Sequence, residues 1–354
     1  MERFTIPKFL HPYLIFLPTV ALFLGFLFDI FTLGRPDALF GNITILGYLS
    51  ISTIITLVLQ ARSDEADENL RLILLGIIQF SFGNLTSALL VLYSQSGTLA
   101  GSAIFIGMLV ALLLGNEVLR DRYARTQLRV IILYILLLTY ATLSVPILLN
   151  QIGTPIFLIS NAVALGVIFL VLMALTFVSR NPFGKTRRRI WVSIIAVTLI
   201  FNGLYFTNLI PPVPLALKHI GIYHSVIRTG DTYTATYEAP QWYEFWKDTN
   251  TVLHNTANEA TYCFSSVFAT TDLKTDIRHR WEKYNSATQI WETMTLIPFP
   301  ITGGRQNGYR GYTQTMQVDS GLWRCSVETS RGTLIGRTEF NVQSGIPELH
   351  TTEL

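Results

Sequence analysis

Asp319-Ser320-Gly321-Leu322-Trp323-Arg324-Cys325 decides how the carboxyl-terminal part of this chain reads. Trp323, Cys325 and Val327 alternate with Leu322, Arg324, Ser326 and Glu328, and period-two patterning of this kind specifies a strand with one buried face. Upstream, Ile277, His279 and Trp281 alternate with Arg278, Arg280 and Glu282, and Tyr233, Ala235 and Tyr237 alternate with Thr232, Thr234 and Thr236. Downstream, Ser330-Arg331-Gly332 makes a turn, and the strand Thr333–Val342 presents Leu334, Phe340 and Val342 inward. Short alternating segments between Gly- or Asn-bearing turns predict an antiparallel β-sandwich over residues 222–345, with 346–354 as a tail.

The segment 319–325 resembles the D-x-G-x-Y-x-C strand of immunoglobulin domains, with Trp323 in place of the corner tyrosine. Trp281 is then the candidate core tryptophan. An indole has an N–H donor and no hydroxyl, so the tyrosine-corner bond is not expected here. The same region is similar to the bacterial domain of unknown function 2914, which ends multi-span membrane proteins. The matching elements are His279-Arg280-Trp281, Gly321-Leu322-Trp323-Arg324-Cys325-Ser326-Val327, Gly332 and Phe340-Asn341-Val342. This resemblance implies architecture and no activity. Cys325 stands where that family usually has valine.

The two cysteines, Cys263 and Cys325, both fall in the β region. An even pair, 62 residues apart, suits a disulfide between two sheets in an oxidising compartment; two buried free thiols are the alternative.

Residues 1–210 have a different character. Seven apolar stretches lie at Pro12–Phe31, Phe40–Gln60, Leu72–Tyr93, Leu99–Leu119, Val130–Asn150, Pro155–Val178 and Ile190–Leu209. Each is about 20 residues, enough at about 1.5 Å per residue to cross a hydrocarbon core of about 30 Å. Arg3, Lys8, Arg62, Arg71, Arg120, Arg122, Arg125, Arg129, Arg180, Lys185, Arg187, Arg188 and Arg189 fall on one side of such a bundle, and only Arg35 and Lys218 on the other. The positive-inside rule therefore predicts a cytoplasmic amino end and an extracytoplasmic carboxyl domain in the cell membrane. Pro211, Pro212 and Pro214 stop the last helix and open a connector over 211–221. The net charge of +3 gives no case for nucleic acid, because the arginine-rich loops already have a topological explanation.

Ionisable residues inside the spans are nearly confined to Asp29 and Glu117, both near span ends. Mid-span polarity rests on amides and hydroxyls. Asn84 and Ser87 are one turn apart and are expected to meet Asn161 or Asn202 as interhelical contacts. Ile190–Leu209 has no lysine for a retinal Schiff base, and no pair of inverted repeats with broken helices marks a transporter.

No phosphate-binding loop, nucleophile elbow or zinc-protease motif occurs. Gly303–Gly311 reads as a mobile hairpin loop. The six histidines (His11, His219, His224, His254, His279 and His350) show no metal-ligand spacing, and His279 reads as a hydrogen-bonded core residue. The expectation is a protein without cofactor, metal or catalytic constellation. Three functions remain open: a surface binding or sensing protein, a structural subunit of an envelope complex, and a membrane-embedded enzyme or transporter. Trp242-Tyr243-Glu244-Phe245-Trp246 favours the first two, as a protein or glycan contact, or else rests in the lipid headgroup layer. If Cys263 points inward, Tyr262, Phe264 and Phe268 form an outward aromatic row, and such a row marks a contact site. The expected binding face is this row with Trp242 and Trp246 at its edge.

Overall fold

The computed structural model describes residues 26–62, 68–119, 122–179, 184–240, 249–255, 259–304 and 308–354, apart from Phe28, Thr32, Ala124, Asp272, Gln317 and the side chains of residues 68, 99, 100, 117, 184 and 185. It divides into two compact units. One holds the helices up to Thr207. The other joins Asn208–Leu354 to two connectors, Gln95–Ala103 and Asn150–Gly153.

The helices are α1 (Leu39–Ala61), α2 (Glu68–Ser94), α3 (Leu99–Val118), α4 (Thr126–Leu149), α5 (Thr154–Val178) and α6 (Gly184–Phe206), and all belong to the helical unit except the start of α3, up to Ala103, which falls in the second. Among the described residues, five stretches are long and apolar enough to cross a membrane: Leu39–Ala61, Asn69–Ser94, Thr126–Leu149, Thr154–Val178 and Thr186–Phe206. Gly101–Asn116 in α3 is a shorter apolar stretch. Of the expected first span, residues 26, 27 and 29–31 are helical and most of the rest lies outside the described residues. α4 is the central helix, with 72% of its span buried against 17% for α6. It begins earlier than the apolar run suggested, so Arg129, expected in a loop, sits buried in its first turn. There Arg129 donates to the carbonyl of Tyr123 at 2.6 Å and to Oγ1 of Thr126 at 3.0 Å.

The second unit contains eleven described strands: β1 (Ala216–Tyr223), β2 (Ser225–Thr229), β3 (Thr232–Glu238), β4 (Val252–His254), β5 (Thr261–Phe268), β6 (Lys274–Asn285), β7 (Ile290–Thr302), β8 (Tyr309–Thr315), β9 (Gly321–Thr329), β10 (Leu334–Gln343) and β11 (Leu349–Glu353). They form three sheets, ordered β1-β5-β8, β4-β10-β9-β6-β7 and β11-β3-β2. Pairing is antiparallel except between β4 and β10.

The first sheet faces the five-stranded one across an apolar core that includes Leu215, Val267, Ile277, Ile301, Val327 and Ile335. Its opposite face packs on the third sheet through Phe264, Tyr233, Ala235 and Val226. β5 is thus buried on both faces, and the predicted two-layer sandwich carries a third layer.

Two boundaries move as a consequence. β1 begins at Ala216, inside the expected connector, because Leu215 and Ala216 are already buried. The expected tail supplies β11, which extends the third sheet by pairing with β3. In β10 a register shift between Leu334 and Gly336 exchanges the inward residue, so Ile335 enters the core and Leu334 is only partly buried. Gly303 meets the segment that follows β5 so closely that a Cβ there would lie 1.7 Å from the carbonyl oxygen of Thr270. Glycine in the 303–311 stretch is required by packing, whatever the mobility of the hairpin; residues 305–307 lie outside the described residues.

Candidate functional site

Cys263 on β5 and Cys325 on β9 are bridged, tying the first sheet to the second. Trp281 stands directly beside Cys325 across the β6–β9 pair and is fully buried with it. Trp323, two residues before Cys325, packs in the same cluster, and its indole N–H donates to the carbonyl of Asp319 at 2.9 Å. A corner bond was not expected once the hydroxyl was gone. The indole makes one instead.

His279 lies in the same inter-sheet space. One ring nitrogen is 2.8 Å from Oγ of Ser265 and the other 2.9 Å from Oγ1 of Thr313. Trp281 Nε1 also donates to Thr313 Oγ1, at 3.1 Å. Burial pushes the His279 imidazole down from its ordinary 6.5 to about 3, so it is neutral at physiological pH, with one nitrogen donating and the other accepting. The sulfurs of Cys263 and Cys325 and a nitrogen of His279 lie within 4.8 Å of one another. Bridging removes both thiolates, so this group lacks the ligands a soft metal needs.

The outward face of the five-stranded sheet is charged and aromatic. Arg324 grips Glu282 bidentately, at 2.6 and 3.0 Å, and covers the ring of Trp291 at 4.2 Å. Arg278 and Arg280 both donate to Glu328. Tyr284 meets Trp291 edge-on with ring centroids 5.3 Å apart. Leu296, opposite Arg280, and Leu322 remain 43% and 38% exposed on this sheet.

The expected binding residues fare differently. Phe264 and Phe268 are buried, and Tyr262 is partly buried. The row runs along β5 as the alternation implied, but the third sheet packs on Phe264 and Tyr262, and Phe268 is buried with the Lys218 ammonium over its ring, so the row is core and not a water-facing contact surface. Trp242 and Trp246 lie outside the described residues. Asn202 donates to Asn161 at 3.1 Å, joining α5 and α6. Asn84 bonds back to the carbonyl of Phe80 in its own helix, and Ser87 pairs with Asp29. Neither reaches Asn161 or Asn202 in these contacts, since each finds a nearer acceptor. Sequence spacing missed one group altogether: His224, Glu238 and His254, which come together from three segments.

Residues 274–342 match the family described as Protein of unknown function (DUF2914). That range runs from β6 through most of β10 and contains His279, Trp281, Trp323 and Cys325, so the family's motif residues are those of the inter-sheet core. No curated protein matches. Among solved structures, the chain is similar to a β-glucosidase from Listeria innocua in complex with isofagomine, at 14% identity and TM-score 0.22, covering 32% of this chain and 16% of that one. A β-glucosidase from Kluyveromyces marxianus in complex with glucose matches at 12% identity and TM-score 0.17, covering 38% and 14%. The alkylpurine DNA glycosylase AlkC of Pseudomonas fluorescens, bound to DNA containing an abasic site analog, matches at 10% identity and TM-score 0.21, covering 88% and 99%. Likenesses at these scores carry no argument about function.

Proposed function

We propose that this is a surface binding or envelope-interaction protein of the cell membrane: a seven-span bundle with a cytoplasmic amino end and an extracytoplasmic immunoglobulin-like domain that engages a protein or glycan partner. The immunoglobulin-like reading is supported by the cross-sheet disulfide, the tryptophan beside it, and the sheet orders β1-β5-β8 and β4-β10-β9-β6-β7. Sidedness is supported by the basic loops and also by parity. Gln95–Ala103 and Asn150–Gly153 belong to the same compact unit as the β strands, and pairs of helices separate these pieces, so each pair returns the chain to one side.

The observation that carries the binding reading is the outward face of the five-stranded sheet. The Tyr284–Trp291–Arg324 stack lies there alongside exposed Leu296 and Leu322. Aromatic and arginine groups next to exposed aliphatic ones are the composition of contact surfaces. This face takes over the role first expected of the β5 row.

Photo-crosslinking in intact cells tests the reading. A benzophenone side chain at Leu296 should give a discrete adduct, and the same group at exposed Thr232 should not. Adducts of equal yield at both positions, or none at Leu296 in folded protein, would remove the proposal's basis.

A further inference from the structure

Two buried donors on the outward face of the five-stranded sheet have no acceptor among the described residues: Oγ of Ser326 and Nε of Arg337. Ser326 is fully buried, and Arg337 stands directly opposite it across the β9–β10 pair. Arg280 of β6 stands opposite Ser326 on its other side. Cys325 points inward to its disulfide, so Ser326 and both arginines lie on the outward face.

The carboxylates around this spot are engaged elsewhere. Glu328 accepts from Arg278 and Arg280, and Glu282 accepts from Arg324. Arg337 joins neither group, and Glu339, two residues along β10, is exposed. Burial and the neighbouring Arg324 hold the Arg337 guanidinium below its ordinary value, against the pull of Glu282, Glu339 and Glu328. Buried donors without an acceptor are costly, and a ligand that supplies the acceptor recovers that cost.

We propose that Ser326 and Arg337 bind a carboxylate, the aspartate or glutamate side chain of a protein partner; this rests on the outward face being the contact surface. A guanidinium presents parallel N–H donors that match the two oxygens of a carboxylate, and a serine hydroxyl rotates to add a further bond. Arg337 is partly exposed, so its fork is open to solvent. Rotation of its long side chain brings Nε–H and the Ser326 hydroxyl to the same carboxylate. A peptide fits this face better than a saccharide. Arg324 covers one face of the Trp291 ring and Tyr284 meets it edge-on, which limits stacking on a sugar. Exposed Leu296 and Leu322 instead suit apolar neighbours of an acidic residue.

The test uses full-length protein in detergent and a rhodamine-labelled peptide of repeated Ser-Leu-Glu, followed by fluorescence anisotropy. The parent should bind it and should not bind the Ser-Leu-Gln counterpart. Arg337→Gln should weaken binding by about tenfold or more, the scale of one charged hydrogen bond, and Ser326→Ala by a smaller factor. Arg228→Gln, on the third sheet, should leave it unchanged. Near-ultraviolet circular dichroism confirms that each variant is folded. Equal binding of the glutamine peptide, or unchanged affinity in folded Arg337→Gln, overturns the carboxylate site. Polygalacturonate that competes better per carboxylate than the unlabelled peptide overturns the choice of a protein ligand. Crosslinking at Leu296 separates the site from the face that carries it. An adduct that persists in Arg337→Gln keeps the contact face and removes the site, whereas no adduct in the parent removes the face itself.

Discussion

At the scale of single residues, the inter-sheet core explains why unusual side chains occupy it. His279 is buried and neutral, which links stability to pH. Its folded-state value of about 3 lies below the unfolded 6.5. Between those values the unfolded chain binds a proton that the folded one does not, so its contribution to stability is fully present above about 6.5 and is lost as the pH falls toward 3. The expected slope from this group is up to about 1.4 kcal/mol per pH unit. Chemical denaturation at pH 7 and pH 5 should show the loss, and His279→Gln should flatten it; an equal slope in the variant assigns the acid sensitivity elsewhere. Trp323→Phe keeps the ring but removes the donor to Asp319, and should lower stability by about 1 kcal/mol in the same assay. The aromatic two residues before Cys325 was legible in sequence. Its bond was not, because the reach of an indole N–H depends on the backbone path at Gly321, whose φ is +134°.

At the scale of elements, β6, β9 and β10 were readable because each alternates over a sheet with one buried face. β5 misled for a physical reason. A strand covered on both sides places apolar residues on both, and sequence alone gives no means of telling a covered row from an exposed one. What covers it comes from the β2–β3 hairpin, with Leu354, just after β11, packed against the same cluster, and neither element announces this role by its own pattern. Phe264→Ser should therefore unfold or loosen the β unit, at a cost of about 3–5 kcal/mol by analogy with large-to-small core changes, and not act as a silent surface change. Proteolysis of the full chain would reveal this. Replacing both cysteines by alanine should cost about 4 kcal/mol in the chain-entropy estimate for a 62-residue separation.

Another element-level device is the edge strand β7, where Pro298 and Pro300 lie opposite Arg278 and Asp276. Proline has no N–H to offer, so these positions blunt the free edge against strand addition. Pro298→Thr with Pro300→Thr should raise self-association in detergent, measured by light scattering; a variant that stays as dispersed as the parent contradicts this role.

At the scale of the whole molecule, the apolar runs gave the division into an apolar helical half and a β half, and both halves are present. Helix limits were less legible, since a run of apolar residues marks the lipid-facing length and not the ends of the hydrogen-bonded helix, as Arg129 within α4 illustrates. The assembly of Gln95–Ala103 and Asn150–Gly153 into the β unit was not legible either. Ile152, for instance, packs against the Leu215 and Ile335 core, a contact between residues distant in sequence. The central claim is that the β unit lies outside the cell and the α1–α2 connection inside. With Cys263 and Cys325 bridged, the chain has no free thiol, so a single cysteine introduced at exposed Arg62 or exposed Ser330 reports cleanly. The most direct measurement is labelling of those two variants by a membrane-impermeant maleimide on intact cells. The account predicts reaction at position 330 and none at 62 until the membrane is opened; reaction at 62 with protection at 330 would contradict it.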